Sequence, residues 1–195
     1  MTSAAETRRR ILDAAVRRIA REGIDEVRIA RIATDARVSP ALVSYHFATR
    51  EALLAEALEH SFERAGDTRT ADTDEPERLQ RLRDMVEQCL PLPGEQEKDW
   101  VLWVELWLRA VRHPELRPTA ARLYERMHTW FVEAIEAGEF DCDADRVAVR
   151  VVALLDGLGL RALLGDPAMP VERAREVVWD ALVRELGVAP PVAHE

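Results

Sequence analysis

Apolar residues recur at helical spacing along nearly the whole chain, and nowhere do they alternate for long enough to make a strand. Ile11, Ala14, Ala15 and Ile19 form the buried stripe of a helix predicted from about residue 5 to 22, with Gly23 as its C-cap. Ile29, Ile32, Ala33 and Ala36 predict a shorter second helix, after which Val38 turns inward. Ser39-Pro40 then restarts the chain: Ser is a good N-cap, and at the first helical position the missing N–H of Pro costs nothing. Leu42, Val43 and Phe47 are expected on the core side of this third helix, leaving Pro40, Ala41, Ser44, Tyr45 and His46 outside. Thr49 caps a fourth helix over 50–65, amphipathic through Leu53, Leu54, Ala57, Leu58 and Phe62. Residues 66–76 carry turn formers and no periodicity, so they read as a loop. Five more helices are predicted near 76–90, 97–112, 114–137, 143–164 and 170–187, interrupted by Pro91-Leu92-Pro93-Gly94, His113-Pro114 and Gly138. The expected fold is all-α with about nine helices, divided into residues 1–64 and 65–195.

Residues 28–51 have the pattern of a helix-turn-helix. The outer surface of its second helix is small, polar and aromatic, which suits close approach to a major groove: small side chains clear the bases, and hydroxyls or an imidazole reach base edges and phosphates. Arg50 opens the next helix beside the positive end of its dipole, where a cation is unfavourable unless an anion such as phosphate is near.

These pieces together resemble the N-terminal domain of TetR-type transcriptional regulators. The resemblance rests on Ile11-Leu12-Asp13-Ala14-Ala15 through Glu22-Gly23, Ile32-Ala33, Val38-Ser39, Tyr45-His46-Phe47 and Arg50-Glu51-Ala52-Leu53-Leu54. Two positions depart from the pattern. Arg37 stands where Gly is usual, so a positive φ there would strain it by about 1 kcal/mol. Val27 replaces a capping Thr, leaving Asp25 or Glu26 to substitute. The resemblance implies a DNA-binding domain in which Arg28, Tyr45, His46 and Arg50 hold phosphates while Ser39, Pro40, Ala41 and Ser44 face base edges. Arg50→Ala should then weaken all DNA alike and flatten the salt dependence. It further implies that helix 50–65 connects this domain to a C-terminal effector-binding bundle. The last two helices would form a four-helix interface in a homodimer, which would read double-stranded DNA as a palindromic operator with half-sites about 34–36 Å apart, or a multiple of that. The expected function is that of a repressor released by a small molecule.

The net charge of the 195-residue chain, −9, at first argues against a nucleic-acid partner. Its distribution removes the objection: residues 1–64 hold eleven Arg against ten acids, so the excess of acid lies beyond them. Arg8, Arg9, Arg10, Arg28, Arg37 and Arg50 are candidates for the DNA side, whereas Arg17, Arg18 and Arg21 read as ordinary solvated residues. No apolar run is long enough to span a membrane and the N-terminus lacks a signal-like core, so a cytoplasmic location is expected. Cys89 and Cys142 lack metal-ligand spacing, and no phosphate loop or nucleophile motif is present, so neither cofactor, metal nor catalytic residue is expected.

Trp100, Trp103 and Trp107 share one helix face. The passage from Trp100 through Arg117, and more weakly Leu154-Leu155-Asp156-Gly157-Leu158, is similar to the choline-responsive BetI-type branch of the family. A Trp stripe packs a core at least as readily as it lines a pocket. The alternative is a ligand site drawing on Phe62, Trp100, Trp103, Trp107, Tyr124 and His128, with Glu105 or Asp156 supplying a carboxylate. Aromatic faces beside an acid suit a cationic or quaternary ammonium ligand, though an aromatic or hydrophobic molecule would fit as well. A buried Glu105 needs a partner, and Arg109 or Arg161 could serve as structural ones. The rival reading of the whole chain is a helical ligand-binding protein or enzyme without an operator.

Overall fold

The computed structural model describes residues 3–65 and 75–188, and among these it is all-helical. The helices are α1 (Ala4–Glu22), α2 (Ile29–Asp35), α3 (Pro40–His46), α4 (Arg50–Ala65), α5 (Glu75–Gln88), α6 (Glu95–Arg112), α7 (Arg117–Ala137), α8 (Ala144–Leu163) and α9 (Val171–Glu185). A 3-10 turn, Pro114–Leu116, separates α6 from α7 where a single helix start was expected. Most of the expected loop 66–76 falls outside the described residues. Packing divides the chain into two compact units: Met1–Arg69 with Lys98–Leu123, and Thr70–Glu97 with Tyr124–Glu195.

In the first unit, Ser3 Oγ accepts the Glu6 N–H at 3.1 Å to start α1, and Gly23, at φ 75°, ends it. Ile11, Ala14, Ala15 and Ile19 are fully buried and meet Ile32, Ala33, Val43, Phe47, Leu53 and Ala57 in one core that also takes in Leu102 and Leu106 of α6 and Leu123 of α7. Arg37 has φ 54°, the left-handed turn anticipated for that position. Ser39 Oγ accepts the Leu42 N–H at 3.2 Å, and Thr49 Oγ1 accepts that of Ala52 at 3.0 Å, so both predicted caps are present. Two expectations fail. No side chain caps α2: its N-cap residue is Arg28, the Val27 side chain is spent in the core, and the Asp25 carboxylate pairs with Arg109 instead. Leu42 is 36% exposed rather than buried. Adjacent positions on a helix point about 100° apart, and Val43 takes the inward place.

Arg18, expected to be merely solvated, crosses from α1 to α2. Its Nε and Nη2 reach the two Asp35 oxygens at 2.6 and 2.9 Å, and it also pairs with Glu22. The hydrogen bonds from Arg18 hold the Asp35 carboxyl below its usual range. A depressed carboxylate contributes stability at neutral pH that disappears as pH falls through its folded value. Arg18→Ala is therefore expected to lower the melting temperature at pH 7 and to do so progressively less as pH falls below the usual carboxylate range, as thermal melts over an acidic pH series would show.

The core of the second unit comes from Leu82, Met85 and Val86 of α5, Met127, Phe131 and Ile135 of α7, Val147, Val151 and Leu155 of α8, and Val178 and Leu182 of α9. Helices α8 and α9 pack on each other, and α5 packs on α9. Val149 and Leu164 remain largely exposed, and a Cβ added at Gly157 would meet nothing within 4 Å, so this part of α8 presents a smooth, open surface.

Candidate DNA-reading face and effector site

Helix α3 exposes four of the five residues expected on its outer face, and His46 is half-buried. Pro40, Ala41 and Ser44 are exposed, and Tyr45 is 81% exposed with its ring edge-on to His46 at 5.4 Å. A tyrosine so exposed leaves its hydroxyl free to reach a phosphodiester backbone. Ser39 is exposed although its hydroxyl also caps the helix. Arg28 is exposed, with Nη1 donating to the Asp25 carbonyl at 3.2 Å.

The other arginines divide. Arg9 and Arg37 are exposed, whereas Arg8 lies over the Phe47 ring and pairs with Glu56, and Arg10 donates to the Ala36 and Arg37 carbonyls that close the turn between α2 and α3. Arg50, expected on a phosphate, turns inward: Nε donates to the Val27 carbonyl at 3.1 Å, and Nη2 to the Ile24 and Asp25 carbonyls at 2.5 and 3.3 Å. Helix polarity correctly signalled that this cation needs oxygen partners. Those partners are loop carbonyls that adjoin Arg50 only in the folded chain.

The expected ligand residues belong to both units. In the first unit the Trp107 ring meets Trp100 edge-on at 6.1 Å and Trp103 at 5.8 Å, while Trp103 also packs against the hydrophobic core. Beside Trp103, a cavity of about 10 Å³ bounded by Leu58, Leu102, Leu106 and Leu123 has room for one water at most. Of the three rings, Trp103 is the one that packs against this core, while Trp100 is buried and Trp107 half-buried. Glu105 pairs with neither expected arginine, since Arg109 pairs with Asp25 and Arg161 with Asp166 at 2.7 Å. The Phe62 side chain lies outside the described residues.

In the second unit the Tyr124 hydroxyl donates to Asp156 Oδ2 at 2.8 Å. Burial pushes the Asp156 carboxyl up to about 6, against the opposing pull of that hydrogen bond, and desolvation also raises the tyrosine. Among the described residues no cation pairs with Asp156. A carboxylate removed from water normally has such a partner, so this pair is an anionic seat without its counter-charge. The same charge, second to burial, helps push the Cys89 thiol up to about 12, which leaves it unreactive at neutral pH. His128 lies 3.2 Å from Asp145. Among the described residues no group of His, Cys, Asp and Glu could hold a metal, and no helix is long and apolar enough to cross a membrane.

A capped helix-turn-helix with an exposed reading helix, followed in the chain by a helical unit, is the arrangement of a ligand-responsive DNA-binding regulator. Residues 11–57 match the model of the bacterial regulatory proteins of the tetR family, and residues 76–187 match that of the C-terminal part of BetI-type transcriptional repressors. The chain belongs to the TetR family, whose members bind operator DNA and a small molecule and are not enzymes. The HTH-type transcriptional regulator BetI of Brucella canis is 26% identical over 184 residues, covering 94% of this chain and 93% of its own. A transcriptional regulator of Saccharomonospora viridis in complex with choline is 34% identical with a TM-score of 0.75, covering 92% and 96% of the two chains. The multidrug binding protein EbrR complexed with proflavin is 31% identical with a TM-score of 0.60, covering 90% and 99%.

Proposed function

We propose that this regulator is a cytoplasmic homodimeric repressor that a cationic small molecule releases from a palindromic operator. The observation that carries the cationic class is the Asp156–Tyr124 pair, a half-buried acid holding one hydrogen bond and no counter-ion among the described residues. A quaternary ammonium ion would supply the missing charge without needing hydrogen-bond acceptors, and the Tyr124 ring would favour it further. The choline held by the Saccharomonospora viridis protein and the proflavin held by EbrR support this class. Residues 1–64 read DNA and residues 65–195 bind effector and partner. Ser39, Pro40, Ala41 and Ser44 face base edges, Arg28, Tyr45 and His46 hold phosphates, and Arg50 serves the same face by anchoring the loop behind it. The open surface at Gly157 on α8 suits close approach of a partner's helix.

Release is proposed to start on α7. Tyr124 follows Leu123, whose side chain bounds the small cavity shared with Leu58 of α4 and Leu102 and Leu106 of α6. With so little free volume there, a shift of Leu123 displaces α4 and α6 rather than being absorbed.

The test is selection of bound fragments from a genomic DNA pool by the purified protein, then release of the winner by choline, tetramethylammonium and proflavin. A palindromic winner whose affinity falls steeply with salt, released by at least one of these cations, is the expected result. An enriched operator that is released only by neutral hydrophobic compounds would refute the cationic class. Ser44→Ala is expected to change the selected base at one position of each half-site, by about 1–3 kcal/mol of discrimination, while leaving the salt slope as it was.

A further inference from the structure

The loop between α1 and α2, residues 23–28, is held from two directions. Arg50 at the start of α4 binds three of its carbonyl oxygens, and Arg109 near the end of α6 pairs with the Asp25 carboxylate. This loop leads directly into α2, and Arg50 stands four residues beyond the reading helix. Its position therefore bears on both ends of the DNA-reading segment.

Arg109 is the unusual member. Its side chain is only 16% exposed and its Nε is buried with no hydrogen-bond partner, whereas Asp25 is 85% exposed. A guanidinium withdrawn this far from water needs a carboxylate, yet its present partner sits on a loop at the surface. A second carboxylate lies one turn back on the same face of α6. Glu105 Oε1 stands 3.5 Å from the place a Cβ would take on Gly23, so it faces the start of the same loop. A glutamate four residues before an arginine is the favourable order for an intrahelical pair, but in this structure Arg109 takes Asp25.

We propose that Arg109 is a two-position link that reports the state of α6 to the DNA-reading face. While it holds Asp25, the loop, α2 and the start of α4 are fixed in the reading arrangement. When α6 moves, Arg109 passes to Glu105 and the loop is released. The buried guanidinium has a carboxylate in both positions, which gives the element two discrete states of similar energy for a ligand to bias. The effector step rests on the reading that a small molecule displaces α6, but the link itself is testable without any ligand.

The experiment compares the full chain with Asp25→Asn, Glu105→Gln and the double variant, each with and without Arg109→Gln, by operator affinity at one salt concentration and by thermal melting. Asp25→Asn and Glu105→Gln each remove one negative charge, so a plain field effect would tighten DNA binding in both. The link requires Asp25→Asn to weaken operator binding about threefold or more, Glu105→Gln not to weaken it, and the Asp25→Asn loss to vanish in the Arg109→Gln background. Because each acid can replace the other as partner, the double variant must lose more melting temperature than the two single variants together. Operator binding unimpaired in Asp25→Asn, a loss that persists without Arg109, or additive melting shifts would each overturn the proposal. Release by choline, measured alongside, separates the two ideas. A wild-type protein insensitive to such cations counts against the effector class while these ligand-free comparisons still decide the link.

Discussion

Asp156→Asn is expected to cut the response to a cationic effector at pH 7.5 by tenfold or more while leaving operator affinity unchanged and making the ligand-free protein more heat-resistant. The two effects have one origin. Burial raises the Asp156 carboxyl to about 6, so near neutral pH the folded protein keeps a charge where the neutral form would be more comfortable. A raised folded value means that this group's contribution to stability is complete below the unfolded value, near pH 4, and is lost as pH rises through about 6. Asn imitates the protonated acid and avoids that loss. Its stabilising effect should therefore be largest above pH 7 and absent near pH 4. Effector affinity of the unaltered protein should follow the same group in the opposite sense, falling as pH drops below about 6 because a cation binds the ionised form. Tyr124→Phe removes the hydrogen bond that favours the ionised acid and should move this fall in affinity to higher pH. Titration calorimetry with choline over pH 5–8, alongside melts of the ligand-free protein, tests both expectations. An Asn variant that still responds fully to the cation would exclude Asp156 as the seat.

Arg50→Ala is expected to abolish most operator affinity, ten- to thirtyfold, and to lower the melting temperature. Its guanidinium satisfies carbonyls of Ile24, Asp25 and Val27, and Ile24 and Val27 are both buried residues. Hydrogen bonds from a charged donor contribute about 1.5–3 kcal/mol, and their loss frees the loop that orients α2. The sequence alone suggested a phosphate contact, whose removal would reduce the salt slope by about one phosphate. With Nε and Nη2 spent on the loop, the structure instead implies a lower affinity with an unchanged slope. Measuring affinity at four salt concentrations for Arg50→Ala, with the exposed Arg28→Ala as comparison, tells the two apart. A slope reduced as much in the Arg50 variant as in the Arg28 variant would restore the phosphate contact.

Helix existence and order, and the caps of α3 and α4, were legible in the chain because each depends on residues a few positions apart, whereas the cap expected for α2 is missing. The stripe Ile11, Ala14, Ala15, Ile19 reports one buried face, Ser39 and Thr49 hold N–H groups three residues ahead, and Arg37 occupies a turn position whose geometry the neighbouring helices dictate. The exposed face of α3 followed from the same periodicity. Leu42 and the half-buried His46 were misjudged, since a seven-residue helix can bury a single stripe, and which positions fill it depends on the helices it meets.

Where the charged side chains go was decided in three dimensions. Arg18 with Asp35, Arg50 with the loop carbonyls, Arg109 with Asp25 and Tyr124 with Asp156 join positions from 17 to 84 residues apart. Nothing in local spacing selects among several arginines and acids of equal reach. The nearest acid to Arg109 on its own helix, Glu105, is passed over for one in a distant loop. Periodic hydrophobicity and capping are properties of neighbouring residues and survive reading in one dimension. The partner of a long, flexible ion depends on which carboxylate the packed core brings within reach and on how much water is excluded there, and both are consequences of the tertiary structure alone.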